Sequence, residues 1–160
     1  MDFDDYRHPG TGCVVPLPPG WQRLEDPPPG IAVIAREPEA PAGFRANLVV
    51  NVDELPDGLG LDGWQDESDR LLREELPSYY LLDREQIRLA GRPAVRRLAH
   101  HAGSDTGPVT MEQWAIAVGS TGFTLTASVA TLAYDSLADV FAEIARQFRP
   151  GPTSDEEAAR

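Results

Sequence analysis

The sequence contains no lysine: its fourteen basic residues are all arginines, and they stand against 26 acidic residues. The formal net charge is −12 and the pI is about 4.5. Affinity for nucleic acid and for anionic lipid comes from Lys and Arg placed against phosphates, so this composition disfavours both. We therefore predict no nucleic-acid partner, whereas a basic or apolar protein or peptide suits the charge. The exclusive use of arginine is typical of a GC-rich bacterial coding sequence.

Cysteine is almost absent as well. Cys13 is the only one, so the chain cannot form an internal disulfide. Gly12-Cys13 is similar to the end of a bacterial lipoprotein signal, but residues 2–11 are acidic and polar where such a signal needs a basic start and an apolar core. No apolar run reaches the ~20 residues of a membrane span. We expect a cytoplasmic protein without membrane insertion, in which Cys13 is a small buried hydrophobe.

Groups that carry chemistry are also scarce. His100 and His101 are neighbours on a predicted strand, so they point to opposite faces and cannot chelate one ion. The glycine-rich stretches 58–60 and 119–122 lack the lysine and the spacing of a phosphate loop. No serine lies in a Gly-x-Ser-x-Gly setting. We therefore predict that the protein is not an enzyme and has no catalytic residues, no cofactor and no metal.

The length of 160 residues is that of one domain. We predict a flexible N-terminal segment over 1–11, a single domain over 12–149, and a flexible acidic C-terminal tail over 150–160. A domain of this size buries roughly 68–70% of its unfolded surface and needs no disulfide or metal to fold. The oligomeric state does not follow from the sequence.

Two segments have helical periodicity. Apolar residues from Leu61 to Leu76 form one stripe, and those from Leu137 to Phe148 form a second. Asp62 with Gln65 predicts a capping box at the first helix, and the Ser136–Asp139 stretch predicts one at the second. The acidic Asp66, Glu67 and Asp69 are assigned to the solvated face of the first helix.

Strand patterns surround these helices. They are predicted over 13–17, 31–36, 45–53, 79–89, 94–101, 110–118 and 123–129. The order predicts an α+β domain: a single antiparallel β-sheet of about six to seven strands, packed by two main α-helices. Trp21, Trp114 and Phe141 are the expected core anchors.

Five residues are candidates for partner binding. Asn47 and Asn51 share the polar face of the 45–53 strand, and Trp64, Tyr79 and Tyr80 bracket the first helix. Each has an alternative reading. The asparagines can pair with neighbouring loop backbone, and the aromatic residues can pack in the core.

Several phrases together carry a family resemblance. They are Pro18-Pro19-Gly20-Trp21, the stretch 43–52, the stretch 89–94, Gln113-Trp114 and the closing Phe141–Arg149 helix. In this order and spacing they resemble the PsbP/Mog-like α-β-α sandwich, nearest to the bacterial LpqN and DcrB-type group, over about residues 13–149. The resemblance implies a non-enzymatic protein that binds partners through sheet and loop surfaces, and it supplies no catalytic residues.

The function expected from these observations is that of a non-enzymatic cytoplasmic binding or accessory protein. A chaperone-like adaptor for a secreted or membrane-associated protein partner is one form of it. The alternative is a small-molecule or peptide-binding module. An uncharacterised enzyme is a less favoured third reading, because it would need titratable residues that converge in one pocket.

Overall fold

The computed structural model describes residues 1–39, 43–103, 105 and 107–152. Nine strands and two α-helices follow one another along this part of the chain. The strands are β1 (Asp4–Arg7), β2 (Val14–Leu17), β3 (Gln22–Arg23), β4 (Ile31–Arg36), β5 (Asn47–Glu54), β6 (Tyr80–Leu89), β7 (Arg92–Ala102), β8 (Pro108–Val118) and β9 (Thr121–Ala130). The helices are α1 (Leu61–Glu75), between β5 and β6, and α2 (Tyr134–Gln147), after β9.

Seven of the strands form one antiparallel sheet in the order β3-β4-β5-β9-β8-β7-β6. The last four strands of the described chain, β6 to β9, are a meander in which each strand pairs with the next. β5 joins this meander by pairing along the free edge of β9. β1 and β2 form a separate antiparallel pair. The predicted fold class is confirmed.

The two helices pack on opposite faces of this sheet, as the alternation along β8 shows. Trp114 and Ile116 belong to the main core, which α2 closes with Phe141 and Ile144. Trp114 is 3% exposed and Phe141 is fully buried, as predicted; Trp21 is only partly buried at the margin of this core.

The face beneath α1 is built from smaller and more polar residues. Trp64 forms a small apolar cluster there with Leu55 and Ala115. Its indole lies over Gly122, where an added Cβ would come within 2.6 Å of the ring. A glycine at this position therefore lets the helix approach the sheet.

Both predicted capping boxes are wrong. α1 begins after Gly60 without a side-chain cap, and the Asp62 carboxylate instead accepts a hydrogen bond from Gln86 Nε2 at 2.9 Å. Ser136 lies inside α2, which begins two residues earlier because a 3₁₀ turn at Thr131–Ala133 leads into it. In each case a tertiary contact or a preceding turn sets the start of the helix.

The two ends of the described chain pack onto the main body. Residues 4–7, within the segment for which flexibility was predicted, form β1, and the Arg23 guanidinium stacks 4.1 Å from the Tyr6 ring centroid. Gly151 is buried against the Thr11 backbone. Residues 153–160 of the predicted acidic tail lie outside the described residues.

Over the described chain, neither helix has the length and hydropathy to cross a membrane.

Candidate functional site

A groove of about 350 Å³ lies between α1 and the polar face of the sheet. The helix supplies one wall, and β5, β7, β8 and β9 supply the floor and the other wall. We call it the α1 groove. Its lining residues are Asn51, Asp53, Gln65, Ser68, Leu71, Leu72, Glu75, Arg97, Gln113 and Thr124.

A buried ion pair fixes the inner side of the α1 groove. Arg97 Nε donates to Asp69 Oδ1 at 2.6 Å, and the two side chains are 1% and 9% exposed. Arg97 Nη1 donates to Gln113 Oε1 at 2.8 Å and Nη2 donates to the Gln65 carbonyl at 3.2 Å. Asp69 also accepts from Arg84 at 2.8 Å. Every nitrogen of the Arg97 guanidinium is thus engaged within the protein.

This pair overturns one expectation from the sequence. Asp69 was assigned to the solvated face of α1, yet the buried side of the helix is formed by Trp64, Gln65 and Asp69. Leu71, predicted to lie in the apolar stripe, is 40% exposed. The reason is that β7 presents a charged side chain, Arg97, to the helix, and a carboxylate compensates that charge better than a leucine would.

Gln65 is the unusual residue of the groove. It is 1% exposed, and neither its Nε2 nor its Oε1 has a hydrogen-bond partner among the described residues. A buried polar group without a partner costs about 1–3 kcal/mol, so most proteins satisfy it. Each such group in a native structure calls for an explanation, and a bond to a molecule or ion outside the chain is one.

Two carboxylates at the groove have no hydrogen-bond or ion-pair partner within the part of the chain that the structure describes. They are Asp53 on β5 and Glu75 at the end of α1. Asp53 is exposed, but partial desolvation raises its pKa above its usual range, and no neighbouring cation opposes this shift. Because Asp69 neutralises Arg97, the groove as a whole is negatively charged.

The asparagines proposed from the sequence are separated by the structure. Asn51 lines the α1 groove. Asn47, four residues earlier on the same face of β5, is not among the lining residues. Its Nδ2 donates to the Arg45 carbonyl at 3.2 Å, which matches the alternative reading of pairing with nearby backbone.

The three aromatic candidates differ in burial. Trp64 packs in the small apolar cluster beneath α1. Tyr79 is half-buried, its hydroxyl has no partner among the described residues, and burial raises its pKa. Tyr80 is 66% exposed at the start of β6, the edge strand of the sheet. None of the three lines the α1 groove.

Sequence reasoning missed Gln65 and Arg97 as groove residues. Gln65 was assigned only to a cap, and Arg97 was one of two adjacent arginines in a strand. Alternation gives the one available signal, because adjacent strand residues face opposite sides of the sheet. Arg96 accordingly binds the buried Glu112 on the α2 side at 2.7 Å, where Tyr134 also donates to Glu112 at 3.0 Å.

Among the same described residues, no group of three or more His, Cys, Asp and Glu side chains could hold a metal ion. The α1 groove itself is lined by amide, carboxylate, hydroxyl and aliphatic groups around one paired guanidinium. Such a lining can bind polar or cationic groups by hydrogen bonds and charge.

The fold is similar to that of several solved structures. Cyanobacterial PsbP (CyanoP) from Synechocystis superposes with a TM-score of 0.72 at 17% identity, covering 94% of each chain. LpqN of Mycobacterium tuberculosis, described as involved in cell envelope biogenesis, gives 0.71 at 18% identity and covers 93% of this chain and 90% of its own. The Saccharomyces cerevisiae Ran-binding protein Mog1p gives 0.65 at 18% identity, with 96% and 98% covered.

These likenesses confirm the resemblance drawn from the sequence: the chain has a PsbP/Mog-like fold, with an LpqN-type neighbour. At such identities they establish the fold alone. No protein-family model matches the sequence, and no curated protein matches it either.

Proposed function

We propose that this PsbP/Mog-like domain is a non-enzymatic binding or accessory protein that holds a segment of a protein partner in the α1 groove. The observation that carries the proposal is Gln65, whose amide is buried on the groove without a partner. A bound segment would supply the hydrogen bonds that the folded chain leaves unmade. The cell compartment proposed for this activity is the cytoplasm.

The composition of the groove supports binding over catalysis. General acid–base and nucleophilic chemistry needs a group that another side chain positions or activates. Asp53 and Glu75 have no such partner among the described residues, and the groove lining includes neither histidine nor cysteine. The one strongly held charge, Arg97, is fully used to anchor α1 to the sheet.

The known neighbours support a protein partner. Mog1p is described as Ran-binding, and LpqN as involved in cell envelope biogenesis. A fold used for such roles is compatible with an adaptor, and we extend the proposal to a chaperone-like adaptor for a secreted or membrane-associated protein. This extension is by analogy of fold.

The volume of the groove favours one alternative, a small-molecule or free-peptide module. About 350 Å³ falls at the lower end of the range for ligand pockets, which starts near 300 Å³. The groove is open along one side of the helix. It can therefore admit a side chain of a larger partner at least as well as it can hold a free small molecule.

Two matched variants test the proposal. Asn51→Arg places a bulky side chain in the groove, whereas Asn47→Arg makes the same change on the same strand face outside it. Each protein is immobilised and incubated with lysate of the source organism, and bound proteins are compared by quantitative mass spectrometry. We expect a protein that wild type and Asn47→Arg retain and that Asn51→Arg loses.

The outcomes separate the readings. Identical capture by both variants would overturn the groove as the binding site. A small molecule released from purified wild type in native mass spectrometry, and missing from Asn51→Arg, would establish the alternative. Circular dichroism of all three proteins checks that each variant is folded.

A further inference from the structure

We infer that the α1 groove recognises a basic side chain of the partner, an arginine guanidinium or a lysine ammonium. This inference rests on the proposed function and adds the chemistry of the ligand. Three features of the described groove lead to it: its unpaired charge, its unmade hydrogen bonds and its aliphatic wall.

The charge of the groove selects a cation. Asp53 and Glu75 bring two carboxylates without a partner in the described chain, while Arg97 and Asp69 cancel each other. Each nitrogen of Arg97 already donates to a protein oxygen, so the groove offers no free cation to an anionic ligand. An anion would therefore meet net repulsion and would lose its hydration without compensation.

The unmade hydrogen bonds select a ligand rich in donors. Gln65 Oε1 is a buried acceptor without a partner, and Asn51 adds a second amide oxygen at the groove wall. A guanidinium has five N–H donors in one plane and an ammonium has three. Either group can bond an amide oxygen and a carboxylate at the same time, and charged hydrogen bonds are the stronger kind.

The aliphatic wall suits the stem of such a side chain. Leu71 and Leu72 line the helix side of the groove, next to Glu75. Arg and Lys bury their methylene stems along apolar surface while the charged end reaches polar groups. A basic side chain would lie along the leucines with its charge directed to the carboxylates.

The test is a titration of the wild-type protein followed by ¹H–¹⁵N NMR. The probes are N-acetyl-arginine methylamide, its lysine counterpart and its citrulline counterpart, which keeps the shape of arginine without the charge. The observed signals are the side-chain amides of Gln65 and Asn51, with that of Asn47 as the internal reference. We expect the arginine or lysine probe to shift the first two signals, and citrulline to shift none.

Two variants identify the charge that matters. Asp53→Asn and Glu54→Gln remove the same charge at adjacent residues of β5, which face opposite sides of the sheet. Only Asp53 lines the groove. We expect Asp53→Asn to weaken binding of the cationic probe about fivefold, as for a partly exposed ion pair, and Glu54→Gln to leave it unchanged.

The results distinguish this inference from the proposed function. If Asn51→Arg abolishes capture of the partner but the cationic probes shift neither amide, the groove binds by another chemistry and the inference falls while the function stands. Equal shifts with citrulline, or equal affinities of the two charge variants, would overturn it as well. Shifts of Gln65 and Asn51 that depend on both the probe's charge and Asp53 would support it.

Discussion

Asp69 of α1 and Arg97 of β7 form a buried ion pair that ties the middle of the helix to the sheet, with 2.6 Å between Nε and Oδ1. Both side chains are buried. Desolvation of two charges offsets much of their attraction, so the pair as a whole adds little net stability. Removing only one of the two partners destabilises the protein, since the remaining charge would be buried without a counter-charge.

Asp69→Ala should therefore destabilise the protein by about 3–5 kcal/mol, because it leaves the Arg97 guanidinium buried without its carboxylate. Glu67→Ala, which removes an exposed carboxylate of the same helix that pairs with Arg70, should cost far less, because solvent screens an exposed ion pair. The midpoint of urea unfolding, followed by circular dichroism, measures both. Equal costs would show that the interior pair is solvated.

Gln65→Met should raise the free energy of unfolding by about 1–3 kcal/mol, because it replaces an unpartnered buried amide with an apolar side chain of similar length. Gln22→Met, the same change at an exposed position, should alter it by less than about 0.5 kcal/mol. Partner capture should fall with Gln65→Met only. A less stable Gln65→Met would mean that the amide is satisfied in the native protein.

Gly122→Ala should cost about 1–3 kcal/mol, because the new methyl group would come within 2.7 Å of two carbon atoms of the Trp64 ring. Gly10→Ala serves as the control, since an added Cβ there meets only the His8 side chain. The indole N–H resonance of Trp64 should move in Gly122→Ala and stay in place in the control. An unshifted resonance would show that the added methyl group does not press on the Trp64 ring.

The pH dependence of stability should carry a signature of Asp53. Its pKa is raised in the folded state by burial, so its contribution to stability is full below the unfolded pKa of about 4 and is lost as the pH rises through the raised pKa. Asp53→Asn should therefore gain stability relative to wild type between pH 4 and pH 7. Glu75 of α1 and Arg97 of β7 line the same groove, and both stay in the variant.

Glu54→Gln is the control for this experiment, because it removes an adjacent charge outside the groove. Thermal unfolding at several pH values gives the comparison. The stability advantage of Asp53→Asn over wild type should grow as the pH rises. An advantage that shrinks would contradict a raised pKa of Asp53 in the folded protein.

The periodic parts of the fold could be predicted from the sequence. β4 was predicted over the residues that it occupies, and the antiparallel sheet with two helices followed from alternation and helical spacing. β1 was not predicted, because its residues are polar. It pairs with β2, and its Tyr6 ring packs against Arg23, which is distant in sequence.

The groove was only partly predictable for the same reason. Asn51 was identified from the polar face of its strand, but Asp69 was assigned to solvent because hydropathy places a carboxylate outside. Its partner Arg97 lies 28 residues further along the chain. Only the packed structure shows that two charges on separate elements meet in the interior.

The position of β9 in the sheet has a kinetic consequence. Strands β6 to β9 meet through successive hairpins, so their pairing closes short loops, whereas Asn47 of β5 pairs with Ser128 of β9 across the whole α1 and meander region. Closing that long loop is the slow step in a contact-order picture of folding. Until β5 arrives, β9 is an open edge able to pair with another chain. Refolding yield should therefore fall with protein concentration more steeply than the stability of the finished domain would suggest.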